Sequence, residues 1–371
     1  MVTLIKNGRI VSSLGVKACD LWIENGRICE EKQYADKTVD VLGAYLLPGF
    51  IDIHTHGSSG VNYSKAENFS AALEFCAGQG VTTVVPTIGV RPLDELIASI
   101  KNAVSEKNKL KSGARIAGIH LEGPFVNEKK KGAMATPDIP CTKENFLKLT
   151  DAAEGNIRVM TIAPERENAY EVISEGASLG IRMSVGHTDA DFQTVKLGID
   201  AGISGATHAF NAMRQYDHRE PGVLGAVLTD SRVSCEVICD LVHLHSSTIE
   251  LIKLCKGVGN MILVSDSGMI TGLGDGEYLV DGKLRIVKDK VARNENGNLA
   301  GSCYTMTDSA RKMLSCGFTL CDIVAMCAEN PAKAIGMSEI GSLEVGKSAD
   351  IIVCDKELNV ESVYVRGERF I

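Results

Sequence analysis

The sequence predicts a (β/α)8 TIM-like barrel carrying a small β-sandwich module built from both chain ends. Three observations lead there. Eight near-continuous apolar, β-branched runs follow one another between residues 50 and 268, each ending in polar residues. Helix-like segments stand between them, as parallel strands require of their crossovers. The chain ends have a different texture, short alternating runs broken at Asn-Gly and Gly-rich turns. Eight strands predict a closed barrel, with an open doubly wound sheet as the runner-up. The 371 residues suit a barrel of about 250 residues plus a smaller module.

In chain order, VTLIKNGRIV (2–11) and LWIENGRIC (21–29) each centre on Asn-Gly, a dipeptide that suits a type I′ hairpin turn. SLEVGKSADIIVCD (342–355) and ESVYVRGERFI (361–371) repeat the style, so the module is assigned to 1–46 plus 337–371 and the barrel to 47–336. The barrel strands are FIDIHTH (50–56), TTVVPTI (82–88), RIAGIHLEGPF (115–125), RVMTIAPE (158–165), RMSVGHT (182–188), GATHAFN (205–211), SCEVICDLVH (234–243) and MILVSDSG (261–268). Intervening helices include NFSAALEFCAGQG (68–80), RPLDELIASIKNAV (91–104), ENAYEVISEGASLG (167–180) and ADFQTVKLGIDAG (190–202). TPDIPCTKENF (136–146) reads as an irregular loop over the barrel mouth. GEYLVDGKLRIV (276–287) reads as a hairpin around Asp-Gly, and the preceding GLGDG as a flexible turn rather than a phosphate loop.

A hydrophobic content of 44% and a charged content of 23% fit a globular chain with a large core. A net charge of −8 without a long basic run argues against nucleic acid and anionic membrane as partners. Lys129 to Lys131 form the basic cluster, read as a solvated loop or as steering for an anionic substrate. The twelve cysteines are scattered without a C-x-x-C, and no signal-like or membrane-length apolar run occurs. Reduced thiols in a cytoplasmic protein account for them, and a zinc ribbon does not.

The chemistry lies at the strand ends. Alternation in a strand puts Asp52, His54 and His56 on one face and Ile51, Ile53 and Thr55 on the other. Catalytic groups of such barrels sit at the C-terminal ends of the strands. There the sequence delivers His54 and His56, Glu122 of HLEGPF, His187 of VGHTDA, His208 of THAFNAM and Asp266 of VSDSG. Individually each has a plain alternative, such as a turn cap for Glu122 or a helix N-cap for Asp266. Together they are four of the eight histidines and two carboxylates where a barrel builds its site. That nitrogen–carboxylate mixture suits Zn²⁺ or Fe²⁺, whereas Mg²⁺ and Ca²⁺ prefer an all-oxygen shell. His120 shares a face with Glu122, for support or packing.

The ordered motifs PGFIDIHTHG, HLEGPF, GHTDA, THAFNAM, REPG and VSD resemble those of N-acetylglucosamine-6-phosphate deacetylases, within the amidohydrolase superfamily. The resemblance covers nearly the whole chain, and HLEGPF and THAFNAM–REPG carry it more specifically than H-x-H. It implies one or two divalent ions per subunit. Glu122, His187 and His208 would hold the catalytic ion, and His54 and His56 a second one bridged by Glu122. It implies hydrolysis of the acetamide of N-acetylglucosamine 6-phosphate to glucosamine 6-phosphate and acetate. Metal-bound hydroxide would attack, with Asp266 as general base and acid and as a further metal ligand. The backbone at Asn211 and Ala212 would meet the substrate phosphate, and His243 the sugar. Arg219 of REPG would reach the phosphate from a neighbouring subunit of a homodimer; its alternative is a surface ion pair with Glu220 or a nearby acid. His218 and His245 read as surface residues.

One departure stands out. Many members of that family place a substrate-polarising histidine in the loop after HLEGPF, where this sequence has Met134 within KKKGAMATPD. Methionine cannot donate that hydrogen bond. The competing readings are a deacetylase for the galacto epimer, another amidohydrolase such as a cyclic-amide hydrolase, and a non-catalytic barrel.

Overall fold

The structure, a computed structural model, describes residues 1–109, 112–132, 134, 139–280, 282–297 and 299–371. Its centre is a parallel barrel. The strands run in the order Phe50–Thr55, Val81–Gly89, a third strand split into Arg115–Ile116 and Ile119–Glu122, Ile157–Ile162, Arg182–Val185, Ile203–Ala206, Ser234–Ile238 and Met261–Val264. Consecutive strands pair in parallel. The eighth returns to the first through Asp266 N–H to His54 O at 3.0 Å and His56 N–H to Ser267 O at 2.8 Å. The third strand breaks at Gly118, where a Cβ would lie 2.6 Å from Asn156 O.

The eight strands occupy the expected runs; seven end sooner, the second runs one residue further to Gly89, and for the last four the reason is local. His187, His208, Leu241 and Asp266 have φ of 48°, 29°, 58° and 46°. A left-handed residue cannot continue a β ladder, so the strand stops short of it, and His187, His208 and Asp266 themselves stand at the barrel mouth. His243 therefore stands on the loop after the seventh strand rather than on it. The alternation expected at the first strand also fails. Its pairing register shifts between Asp52 and Thr55. Ile51 and Ile53 pack with Val85, Val159, Ile238, Ile262 and Val264, from strands spread around the barrel, and so fill its interior. Asp52 is diverted to Ser265, accepting its hydroxyl at 2.5 Å, and burial pushes its carboxyl up to about 6.

The helices Ser70–Gly78, Leu93–Lys109, Ala169–Ser178 and Phe192–Ala201 lie within or across the predicted segments. Of the segment 136–146, residues 136–138 lie outside the described residues. Its last part is helical, because Thr142 caps the helix Lys143–Ala153 by accepting Asn145 N–H at 3.2 Å.

Both chain ends join one mixed sheet of eight strands, ordered Glu368–Arg369, Val360–Val365, Ile351–Cys354, Tyr45–Pro48, Val2–Ser12, Gly15–Glu24 and Arg27–Cys29, with Lys37–Asp40 beside Val2–Ser12. Asn25-Gly26 makes the expected tight turn, with φ of 53° and 76°. Asn7-Gly8 does not turn the chain. Val2–Ser12 runs through it as one strand paired with Gly15–Glu24 on both sides, and the dipeptide becomes a bulge. The insertion after the eighth strand exceeds a hairpin: Gly276–Val280, Lys283–Lys288, Val291–Asn294 and Leu299–Ser302 form a four-stranded antiparallel sheet. The Asp281 of its first turn lies outside the described residues.

All twelve cysteines are free thiols, six of them buried. Among the described residues, no helix is long and apolar enough to cross a membrane.

Candidate metal centre and active site

Glu122, the last residue of the third strand, is the centre of the site. Its Oε1 lies 3.0 Å from His187 Nε2, 3.1 Å from His208 Nε2 and 3.3 Å from His54 Nε2. Its Oε2 lies 3.2 Å from His56 Nε2. Asp266 Oδ1 faces His56 Nε2 at 3.3 Å and His54 Nε2 at 3.5 Å. The six residues thus form overlapping sets, Glu122–His187–His208, His54–His56–Glu122 and His54–His208–Asp266, each with its ligand-capable atoms within 4.8 Å of one another. His56 and Asp266 keep partial exposure at the mouth, and the other four are buried.

Whether these atoms suit a cation follows from their protons. His187 Nδ1 lies 2.8 Å from Lys130 O, which only accepts, so Nδ1 carries the hydrogen and Nε2 presents a lone pair. His54 Nδ1 faces the Glu236 carboxylate at 3.1 Å, and its Nε2 has no hydrogen-bond partner. His187 and His208 meet Nε2 to Nε2 at 2.9 Å. Bare nitrogens and carboxylate oxygens therefore face one another in a buried space, an arrangement that is repulsive by itself and favourable around a positive ion. The residues fit a divalent cation, and the nitrogen–carboxylate set fits Zn²⁺ or Fe²⁺.

Backbone geometry aims these groups. Gly57, which follows the H-x-H, has φ of 146°, and a Cβ there would sit 1.9 Å from Val61 O. The tight turn returns Tyr63 N–H to His56 O at 3.0 Å. Residues 127–132 run beside His187, whose Nδ1 meets Lys130 O. Asn127 N–H donates to His187 O at 2.9 Å, and Met134 N–H to Lys131 O at 3.2 Å. A Cβ built on Gly89 would lie 4.0 Å from both Met134 Sδ and His56 Cε1, which puts the methionine at the edge of the cluster.

The residues expected to meet substrate are less tightly gathered. His243 Nδ1 pairs with Asp240 at 2.8 Å. Burial lowers its pKa, but that pair and Asp266 raise it overall. Asn211 N–H donates to His208 O at 2.9 Å, and Ala212, with φ of 51°, accepts Thr188 N–H at 3.2 Å. Arg219 is exposed, its backbone held by Asp217 at 2.8 Å. The alternative pairing with Glu220 is not made; Glu220 accepts Phe192 N–H and Gly222 N–H instead. His218 and His245 are exposed.

Two acids behind the site escaped the sequence reading. Glu165 accepts Thr188 Oγ1–H, Asp189 N–H and Asn127 Nδ2–H, tying the loops around His187 together. Glu236 backs His54. Its signal was present, a lone acid inside the apolar run SCEVIC, but only the closed barrel shows which strand it faces.

Fold and site together define a (β/α)8 barrel with a histidine–carboxylate metal centre at its mouth. The Amidohydrolase family model matches residues 45–370, and the chain belongs to that metal-dependent family. It is 36% identical over 335 residues to an N-acetylglucosamine-6-phosphate deacetylase of Bacillus subtilis (strain 168), covering 87% of this chain and 83% of that one. It is 31% identical over 329 residues to an N-acetylgalactosamine-6-phosphate deacetylase of Escherichia coli O157:H7, covering 87% of each. Among solved structures, an N-acetyl-D-glucosamine-6-phosphate deacetylase mutant from Mycobacterium smegmatis, in complex with N-acetyl-D-glucosamine-6-phosphate, superposes with a TM-score of 0.89. That pair is 31% identical, over 100% of this chain and 99% of the other.

Proposed function

We propose that this protein hydrolyses the acetamide of N-acetylglucosamine 6-phosphate, giving glucosamine 6-phosphate and acetate. The observation that carries the reading is Glu122 ringed by four imidazoles, with the half-open Asp266 beside them. Glu122, His187 and His208 would hold one ion, and His54 and His56 with Glu122 a second, with Asp266 a further ligand. A bound Zn²⁺ or Fe²⁺ acidifies water and polarises the amide carbonyl. Asp266 accepts the proton of the attacking water and returns it to the leaving nitrogen, without which the tetrahedral species collapses to reactant. His243, held by Asp240, donates to the sugar. The loop at Asn211 and Ala212 receives the phosphate. Arg219, on the surface of its own subunit, reaches the phosphate of the neighbouring subunit, where its planar guanidinium matches two phosphate oxygens. The reading includes a cytoplasmic homodimer, with 47–336 carrying the chemistry and 1–46 plus 337–371 as the accessory module.

A second reading, deacetylation of N-acetylgalactosamine 6-phosphate, is favoured by Met134 in the loop after HLEGPF, where many members of the family place a histidine, and by the Escherichia coli relative. Acetate release from the two phosphorylated epimers and from unphosphorylated N-acetylglucosamine, by Zn²⁺- or Fe²⁺-loaded protein, tests both. Turnover of the phosphorylated gluco substrate is expected. Turnover of the galacto epimer alone would move the substrate and keep the chemistry. No release from any of them would overturn the proposed function.

A further inference from the structure

Glu236 is fully buried on the seventh barrel strand, Ser234–Ile238. A charged group in such a place is costly unless it is paired. Yet Glu236 is poorly paired. Its Oε2 lies 3.1 Å from His54 Nδ1, and its Oε1 has no hydrogen-bond partner. The buried Arg182 nearby spends its guanidinium on the carbonyls of Ser204 at 3.3 Å and Ser234 at 3.1 Å. His54 is thus the hydrogen-bonded side chain that Glu236 serves. His120 packs edge-on to His54, with ring centroids 4.5 Å apart. It is itself pinned by Ile53 O at 3.1 Å and Thr161 Oγ1 at 2.8 Å. The His54 ring is therefore held from behind and from below, with only Nε2 facing the mouth.

We propose that Glu236 is a positioning residue. By accepting Nδ1–H it commits His54 to one tautomer, turns the Nε2 lone pair toward the carboxylates of Glu122 and Asp266, and so sets the affinity for the ion on the His54–His56 side of the centre. The inference rests on the reading of this cluster as a divalent-cation site. It is separate from the identity of the substrate. Outer hydrogen-bond partners of ligating histidines typically contribute about 10–100-fold in metal affinity.

The test is a Co²⁺ titration of metal-free protein, followed by the visible absorption of the bound ion. His54→Ala and His187→Ala identify which binding event belongs to which side. Glu236→Leu is expected to weaken the His54-dependent event by about 10–100-fold and to leave the His187-dependent event in place. Glu236→Gln keeps an acceptor oxygen for Nδ1–H and is expected to recover part of the loss, whereas Glu236→Met, of similar size but without that acceptor, is expected not to; equal recovery by both would overturn the proposal. A folded Glu236→Leu protein with unchanged Co²⁺ affinity overturns the proposal. Should that variant not fold, imidazole ¹⁵N spectra of the metal-free wild type decide, with His54 assigned by its loss in His54→Ala. A protonated Nδ1 is expected, and a bare Nδ1 overturns the proposal. Wild-type protein that binds Co²⁺ as described but releases no acetate would sink the proposed reaction and leave this inference standing.

Discussion

Three of the six residues gathered at the barrel mouth, His187, His208 and Asp266, have left-handed backbone without being glycine. Such conformations persist where the surroundings over-determine them, and they concentrate at functional sites. Asp266 is the group assigned to move the proton. Asp266→Asn is expected to lower kcat by about 10²–10⁴-fold, measured as acetate release, with most of the bound metal retained. Glu122 touches every imidazole of the cluster, so Glu122→Gln is expected to lose tight binding of both ions, read by elemental analysis after dialysis. Asp240 gives a pH prediction away from the centre. Burial pushes its carboxyl up, but the His243 side chain and the backbone amides of His243 and Val242 hold it at about 2. A carboxyl lower in the folded state than its ordinary value of about 3.9 adds stability above that value and loses it as pH falls toward 2. Asp240→Asn should therefore cost more stability in urea unfolding at pH 6 than near pH 2.

At the scale of elements, turns and caps decide where side chains point. Gly57 makes the bend that returns Tyr63 N–H to His56 O at 3.0 Å. Gly57→Ala would force a Cβ against Val61 O at a backbone angle that alanine avoids. A loss of about 1–3 kcal/mol is expected, with weaker binding of the His54–His56 ion, measured by thermal unfolding and Co²⁺ titration. A cap that touches none of the six residues at the mouth should behave differently. Thr305 and Asp308 exchange side-chain-to-backbone hydrogen bonds, both at 3.1 Å, at the start of the helix Met306–Ser315. Thr305→Ala is expected to cost about 1 kcal/mol in urea unfolding while leaving kcat unchanged. Bulges belong to this scale too. Asn7-Gly8 and Asn25-Gly26 are the same dipeptide, yet one bulges and one turns, because only the first has a partner strand running past it.

For the whole molecule, the end sheet and the barrel are not separate bodies energetically. Leu47, Ile352, Cys354 and Leu358 of the terminal region pack in one continuous cluster with barrel and helix residues such as Phe50, Leu73 and Met306. Calorimetry is therefore expected to show one unfolding transition for both regions, and two resolved transitions would contradict this account. Truncation before Ile351 would strip one of the two partners from the strand Tyr45–Pro48 and expose Leu46 and Leu47. The truncated chain is expected not to fold, by circular dichroism.

The sequence by itself determined the eight strands, the β character of both ends and the six polar groups at the mouth. These are local matters: apolar runs bounded by polar residues, and histidines and acids placed where barrel strands end. It could not determine that Asp52 would leave the face of His54, since a register shift depends on the neighbouring strand. Nor could it show that Glu236 stands behind His54. Those two residues are 182 positions apart in the chain, and only closing the barrel brings them within hydrogen-bond distance. Side-chain chemistry is written residue by residue, whereas proton positions, lone-pair directions and the balance of buried charge are set by whatever the fold places opposite.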